Sequence, residues 1–448
     1  MPVVVLGLGL VLAGIWLLVR RPWLAPWAVV FLFGTTAELR LRISDSLGVA
    51  KDALVVLLLG VTVLAVLQGR TSLAARLPPL SVGFPLTVLV GLYLLDLGGD
   101  HGGGWVFGTR LLVEPLLLLF IGLATPRPEA ALRHLVHAMT VFLAAQAILA
   151  WIQQAVGPDA LVYQWGYAFG SQVRLSSGGA LRSPGSFEES FSLAAFAVLG
   201  ACLALTVASR RQAVVLWISV AAILGATQVR TAVLQLAVLA IVVLLRQGKT
   251  RAAVVGVVGA AAGAVLAAGV YLVSATVPGG PVRPLLFTLN GRFDAWGVAY
   301  QGISSLVRGN GVGALGAGST RAEAGLVSAA PAYDPNRESE ALFAGDPSFL
   351  DSSWAQVLSD VGLVGVVALL AVVVAYARWL SGPARGDSGA AWLGLAVLAV
   401  SVVDWISRTT LGSYPTGFMT FYLLGLATGA ALAVGRDRVR LPSREART

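Results

Sequence analysis

At 448 residues the chain is long enough for several soluble domains, but 57% of it is hydrophobic and only 12% is charged, with a mean hydropathy of +0.82. Soluble domains carry about a quarter charged residues, so composition excludes that class and makes the bilayer the solvent. The net charge is +9, yet the basic residues, all arginine except Lys51 and Lys249, lie singly or in pairs at the ends of apolar runs; this reads as a topology signal and not as a nucleic-acid surface.

Taken in chain order, apolar runs of spanning length fall near 2–19, 23–38, 52–68, 82–97, 109–124, 132–156, 189–208, 212–227, 231–245, 251–275, 353–380, 389–407 and 414–434. Their even Leu, Val and Ala texture, without the alternation of barrel strands, predicts an all-α polytopic integral membrane protein of about 12–13 transmembrane helices. The first run has no basic segment before it and no small-residue cleavage site, and so reads as a retained helix. The Ala/Gly-rich stretch 252–270 suits close helix packing. Only residues 277–350 form a long hydrophilic segment, so residues 1–448 read as one membrane domain with that segment as an external loop and 435–448 as a basic cytoplasmic tail. Cys202 is the sole cysteine and excludes an intrachain disulfide.

Basic residues in alternate short connections set the orientation. Arg20/Arg21, Arg70/Arg76, Arg127/Arg133, Arg210/Arg211, Arg246/Lys249/Arg251, Arg378/Arg385 and the tail arginines form the cytoplasmic set. The complement, with the 157–188 and 277–350 loops, lies outside, which puts the N-terminus outside and the C-terminus inside. In this topology Glu38, Asp96, Arg110, Glu114, Glu188, Glu189, Arg230, Asp351, Asp360, Asp404 and Arg408 all fall near the outer helix ends. Ionisable groups in a membrane are costly, so their crowding on one face marks it as the working face. Arg110/Glu114 and Asp404/Arg408 have the four-residue spacing of helical ion pairs and also serve as ties between helices. Arg174, Arg182, Arg230, Arg292 and Arg308 have no local carboxylate, and the planar guanidinium fork suits either a lipid-linked phosphate or ordinary lipid head groups. Outer aromatics, among them Trp105, Trp165, Trp296, Trp354 and Tyr414, fit an interfacial belt or sugar stacking.

The chain lacks a Walker-type GxxxxGK[ST], an HExxH, a CxxC and a D-x-D pair, so neither nucleotide hydrolysis nor a metal site is supported and no cofactor is expected. Gly309-Asn-Gly-Val-Gly313 follows no strand and reads as a turn. His134 and His137, beside Arg133, read as interfacial residues.

Four blocks between residues 182 and 365 resemble, in order, the O-antigen ligase and Wzy-type polysaccharide polymerase superfamily of membrane glycosyltransferases. They are Arg182-Ser-Pro-Gly185-Ser-Phe187; Thr227-Gln-Val-Arg230-Thr; Arg292-Phe-Asp-Ala-Trp296 followed by Gly309–Gly313; and Asp351-Ser-Ser-Trp354-Ala-Gln-Val-Leu-Ser-Asp360-Val-Gly362-Leu-Val-Gly365. The ligase branch has His where this chain has Asp351, so the polymerase-like branch is favoured.

The resemblance implies a helical bundle like that of the GT-C glycosyltransferases, in a bacterial cytoplasmic membrane. It implies transfer of a glycan from a polyprenyl-diphosphate-linked oligosaccharide donor to a glycan or lipid-glycan acceptor at the outer leaflet, without nucleotide sugar or metal. Arg182 and Arg230 would meet the charge on the departing diphosphate, with Arg292 and Arg408 as second candidates and Arg174 beside them. Asp351 reads as general base, as helix N-cap, or as both; Glu188 or Glu189 is the reserve base, and Trp296 and Trp354 are sugar-contact candidates. The competing readings are a transporter or flippase of lipid-linked saccharides and a structural partner in envelope assembly. No internal repeat is visible and the charges gather on one face, which favours catalysis there over alternating access.

Overall fold

The computed structural model describes residues 13–14, 16–43, 50–71, 76–99, 101–169, 172–176, 179–249, 251–252, 256, 303–316, 350, 352–385 and 388–440. The described residues form α1 (Leu24–Arg42), α2 (Ala50–Leu67), α3 (Leu80–Leu95), α4 (Gly103–Ala124), α5 (Pro128–Tyr163), α6 (Ser190–Thr206), α7 (Arg210–Thr227), α8 (Arg230–Arg246), α9 (Ile303–Arg308), α10 (Ser353–Arg385), α11 (Gly389–Ser407) and α12 (Thr416–Arg440). A short antiparallel hairpin of β1 (Arg174–Leu175) and β2 (Leu181–Arg182) interrupts the helices.

Seven helices (α1, α2, α4, α5, α10, α11 and α12) are long and apolar enough to cross a membrane, and α3 and α6 are shorter apolar helices. Eleven of the thirteen apolar runs lie on these helices and on α7 and α8; the runs near 2–19 and 251–275 fall wholly or mostly outside the described residues. The protein is thus a mostly helical, multi-pass membrane architecture.

α12 is the most enclosed span, and it crosses α4 closely enough that a methyl added at Gly122 would sit 2.6 Å from the Tyr422 carbonyl. Glycines on both helices, Gly122 and Gly425, permit that approach, the usual device where lipid supplies no hydrophobic drive between helices. Phe33, Phe142, Phe187, Phe196 and Phe418 fill the centre through edge-on contacts.

Two contacts identify one end of the bundle with the Arg-rich connections. Arg76 Nη1 donates to the Leu123 and Thr125 carbonyls at the end of α4 (3.1 and 2.6 Å), and Arg246 Nη1 to Leu205 O at the end of α6 (3.1 Å). The acidic and polar loops gather at the other end. There α5 is broken at Gly157 and α10 at Gly362, both with positive φ. Only this end carries the candidate site.

Candidate functional site

Every residue from Leu181 to Phe187 is buried, although the backbone is irregular beyond the end of β2 at Arg182. Irregular backbone at that depth must find its hydrogen bonds inside the protein, and three glutamines of α5 provide them. Gln153 donates to Gly185 O and accepts from Gly185 N (both 2.9 Å), and Gln146 accepts from Ser186 N (2.9 Å) and donates to Ser186 Oγ (2.7 Å). Gln154 Nε2 faces Leu181 O (2.7 Å), Ser183 Oγ (3.0 Å) and Ala226 O (2.8 Å). Read from sequence, these glutamines sit unremarked in an apolar run; their spacing of seven and eight on one helix face is the signal that was available.

This anchored segment delivers Arg182 to the start of α6. Three guanidinium groups stand around the Phe191 ring in the first turn of that helix: Arg174, Arg182 and Arg408 at 5.4, 5.7 and 5.7 Å from its centroid. Each is placed within cation–π range. Arg174 also meets Glu189 at 3.6 Å, a carboxylate fifteen positions along the chain that local spacing did not suggest. Arg408 is held by Asp404 through Nε (2.9 Å) and Nη2, and the second oxygen of Asp404 accepts from Thr410 Oγ1 (2.6 Å). Ser190 Oγ and Arg408 Nη1 are buried with no hydrogen-bond partner among the described residues. The first backbone N–H groups of α6 add the positive end of a helix dipole to this cationic cluster.

Hydrogen bonds to the Arg408 segment join the cluster to the start of α10. Ser353 donates from both N and Oγ to Arg408 O (3.0 and 2.9 Å), Ser352 Oγ donates to Trp405 O (3.1 Å), and Trp354 packs edge-on against Trp405 at 6.4 Å. Beyond Ser353 lies a cleft of about 510 Å³, counted with the open space at its mouth, between α4, the first turns of α10 and the 409–413 loop.

Behind that cleft the Gly309–Gly313 turn is clipped by two carboxylates, both buried. Asp96 Oδ1 accepts from Val312 N (2.6 Å), and Asp360 Oδ1 from Gly313 N (3.1 Å) and Gln356 Nε2 (2.9 Å), while Asp360 Oδ2 accepts from Tyr93 OH (3.0 Å). These amides are therefore already engaged, so the segment is a turn and not a phosphate loop. Gly313 has φ +70° and abuts Gly104 so closely that a Cβ would overlap its carbonyl.

A separate network occupies the N-terminal halves of α2 and α4. The expected Arg110/Glu114 pair forms at 2.5 Å, and it is extended by Arg110 Nη2 to Asp52 (2.6 Å), by Lys51 to Asp52, and by Lys51 to Glu114 (3.9 Å). Lys51 Nζ also lies 5.4 Å from the Tyr414 ring centre. Burial raises the Tyr414 phenol above its ordinary range, with nearby Asp52 and Glu188 adding to the effect. Tyr167, whose hydroxyl donates to Glu38 (2.6 Å), is raised by burial and by that bond.

Of the residues singled out from sequence, the fold brings together Arg174, Arg182, Arg408 and Glu189, with Trp354 one contact away. Glu188 is exposed. Arg230 is exposed at the first position of α8, and among the described residues it makes no ion pair. It belongs to the same end of the bundle, since Gln235 donates to Val400 O (3.2 Å) and pairs α8 with α11 just below Arg230 and Asp404. Asp351, Arg292 and Trp296 lie outside the described residues, as does most of 277–350. Phe191, Ser190 and the α5 glutamines were not foreseen. Among the described residues no three His, Cys, Asp or Glu side chains cluster as metal ligands would. The chain matches no protein-family model and no curated protein.

Proposed function

We propose that the protein is a membrane glycosyltransferase of GT-C-like architecture that transfers or polymerises glycans, taking them from a polyprenyl-diphosphate-linked donor at the outer face of a bacterial cytoplasmic membrane. The observation that carries the proposal is the convergence of Arg174, Arg182 and Arg408 on Phe191 at the start of α6, with Ser190 Oγ and Arg408 Nη1 unused. Guanidinium groups gathered beside a helix N-terminus, with a buried Arg408 Nη1 still open among the described residues, favour an anion there, and the planar fork matches phosphate oxygens.

In the reaction the acceptor hydroxyl oxygen bonds to the anomeric carbon of the donor sugar. The bond from that carbon to the phosphate oxygen breaks, and its electron pair leaves with the lipid diphosphate. Guanidinium groups held by Asp404 and Glu189 meet the growing charge in a site already oriented for it. The proton of the hydroxyl passes to a carboxylate; Asp351, next to the anchored Ser352, is the first candidate and Glu189 the reserve. The chemistry calls for no cofactor.

Purified protein in nanodiscs, supplied with a synthetic polyprenyl-diphosphate oligosaccharide, tests this by release of lipid diphosphate and by glycan length. Release in the wild type, lost in Arg182→Ala and slowed in Asp351→Asn, is the expected result. Tight lipid binding with no release under any acceptor, together with lipid movement across liposomes, would replace the enzyme with a transporter.

A further inference from the structure

We propose that Gln154 is a positioning residue that fixes Arg182 relative to Arg230, so that one amide ties together the two arginine-bearing segments. Its amide nitrogen lies within hydrogen-bond distance of three oxygens from two separate pieces of chain: Leu181 O and Ser183 Oγ, which flank Arg182, and Ala226 O near the end of α7. Ser183 N donates to that same Ala226 carbonyl at 3.1 Å. From Ala226 only Thr227, left-handed Gln228 (φ 52°) and buried Val229 intervene before Arg230 opens α8. Arg182 is thus one residue from the amide's partners on one side, and Arg230 four residues from its partner on the other.

Gln154 suits this role better than a hydroxyl or an aliphatic side chain would. The carbonyls near the end of a helix lack the amides of a following turn and need outside donors. An amide has two protons to share among the oxygens, and its long stem reaches from the α5 surface into the junction. Trp151, one turn earlier on α5, donates its ring N–H to Ala222 O at 3.0 Å, so two side chains of α5 grip the last turns of α7. Gln153 fixes Gly185 on the far side of Arg182, leaving the segment no slack.

The catalytic part of this inference rests on the proposed transfer reaction, whereas the geometric part does not. Spin labels at Ala180→Cys and Ala221→Cys, with buried Cys202 replaced by Ala, report the separation of the β2 segment from α7. A single narrow distance distribution is expected, broadened or shifted in Gln154→Leu; an unchanged distribution in that variant overturns the proposal. In turnover, Gln154→Leu is expected to lower kcat by about 10²-fold, the scale of a 1 Å misplacement, while the donor KM stays within about threefold. A merely structural role would act equally in every background. The effect should therefore shrink when Arg182 is already Lys, which keeps the charge but not the fork, and full additivity of the two substitutions also overturns the proposal. If the wild type releases no lipid diphosphate from any donor, the proposed reaction fails and the label distances alone judge Gln154.

Discussion

Two charged clusters lie at the same end of this bundle, and they differ in how completely they satisfy themselves. At α2 and α4, Lys51 and Arg110 face Asp52 and Glu114, two cations against two anions, with each cation touching both carboxylates. At α6, Arg174, Arg182 and Arg408 share one Phe191 ring, Arg174 meets Glu189, Arg408 meets Asp404, which Thr410 also engages, and Arg408 Nη1 is buried without a hydrogen-bond partner among the described residues. A network whose groups are all paired serves as a tie between helices, whereas one with a buried cationic donor left open offers that donor to an anion. Position at this end of the bundle alone therefore does not single out a candidate site; a buried donor left open does.

The comparison breaks most visibly if arginines of the two clusters behave alike. Removing Arg182 or Arg408 as alanine should slow release of lipid diphosphate by about 10²–10³-fold, the range for losing one preorganised donor to developing charge, measured in single-turnover assays. A smaller loss of stability is expected outside both clusters. Gly313→Ala introduces a Cβ into Gly104 at a φ of +70° and should destabilise by about 2–3 kcal/mol, read as a lowered unfolding temperature in detergent. Within the balanced cluster, Glu114→Ala strands Arg110 beside a single carboxylate and should cost about 1–2 kcal/mol of stability. The transfer rate per folded molecule should not change, which thermal melts and turnover measured on the same sample decide. Smallest of all, Trp354→Phe keeps an edge-on ring against Trp405 and should cost under about 1 kcal/mol, with donor KM unaffected unless Trp354 also stacks on sugar.

How far this was legible in the sequence depended on range. The spans could be read because apolar length is a local property, and Arg110/Glu114 and Asp404/Arg408 because a helix brings fourth neighbours together. Arg174 and Arg182 stood out as arginines without a local carboxylate on the side that basic residues were expected to avoid. Phe191, in contrast, is an ordinary apolar residue of a buried helix until three distant guanidiniums are seen around its ring. The same holds for Asp96 and Asp360. Each was visible as a costly charge near the outer helix ends, but that they clip adjacent amides of one turn depends on a contact spanning 216 positions in the case of Asp96 and Val312. Gln146, Gln153 and Gln154 were hidden for another reason. A polar residue in a spanning helix signals that something polar must meet it, and nothing local says that the partner is the backbone before α6.

The central claim is that the arginine cluster at α6, and not charge at this end of the bundle in general, holds a lipid-linked diphosphate. The most direct test is the affinity of nanodisc-embedded protein for a polyprenyl diphosphate without sugar, measured for wild type, Arg408→Ala and Arg110→Ala at one ionic strength. Binding weakened by about tenfold or more in Arg408→Ala, and unchanged within about twofold in Arg110→Ala, is the result this account requires. Equal weakening in both variants, or full affinity in Arg408→Ala, would contradict it.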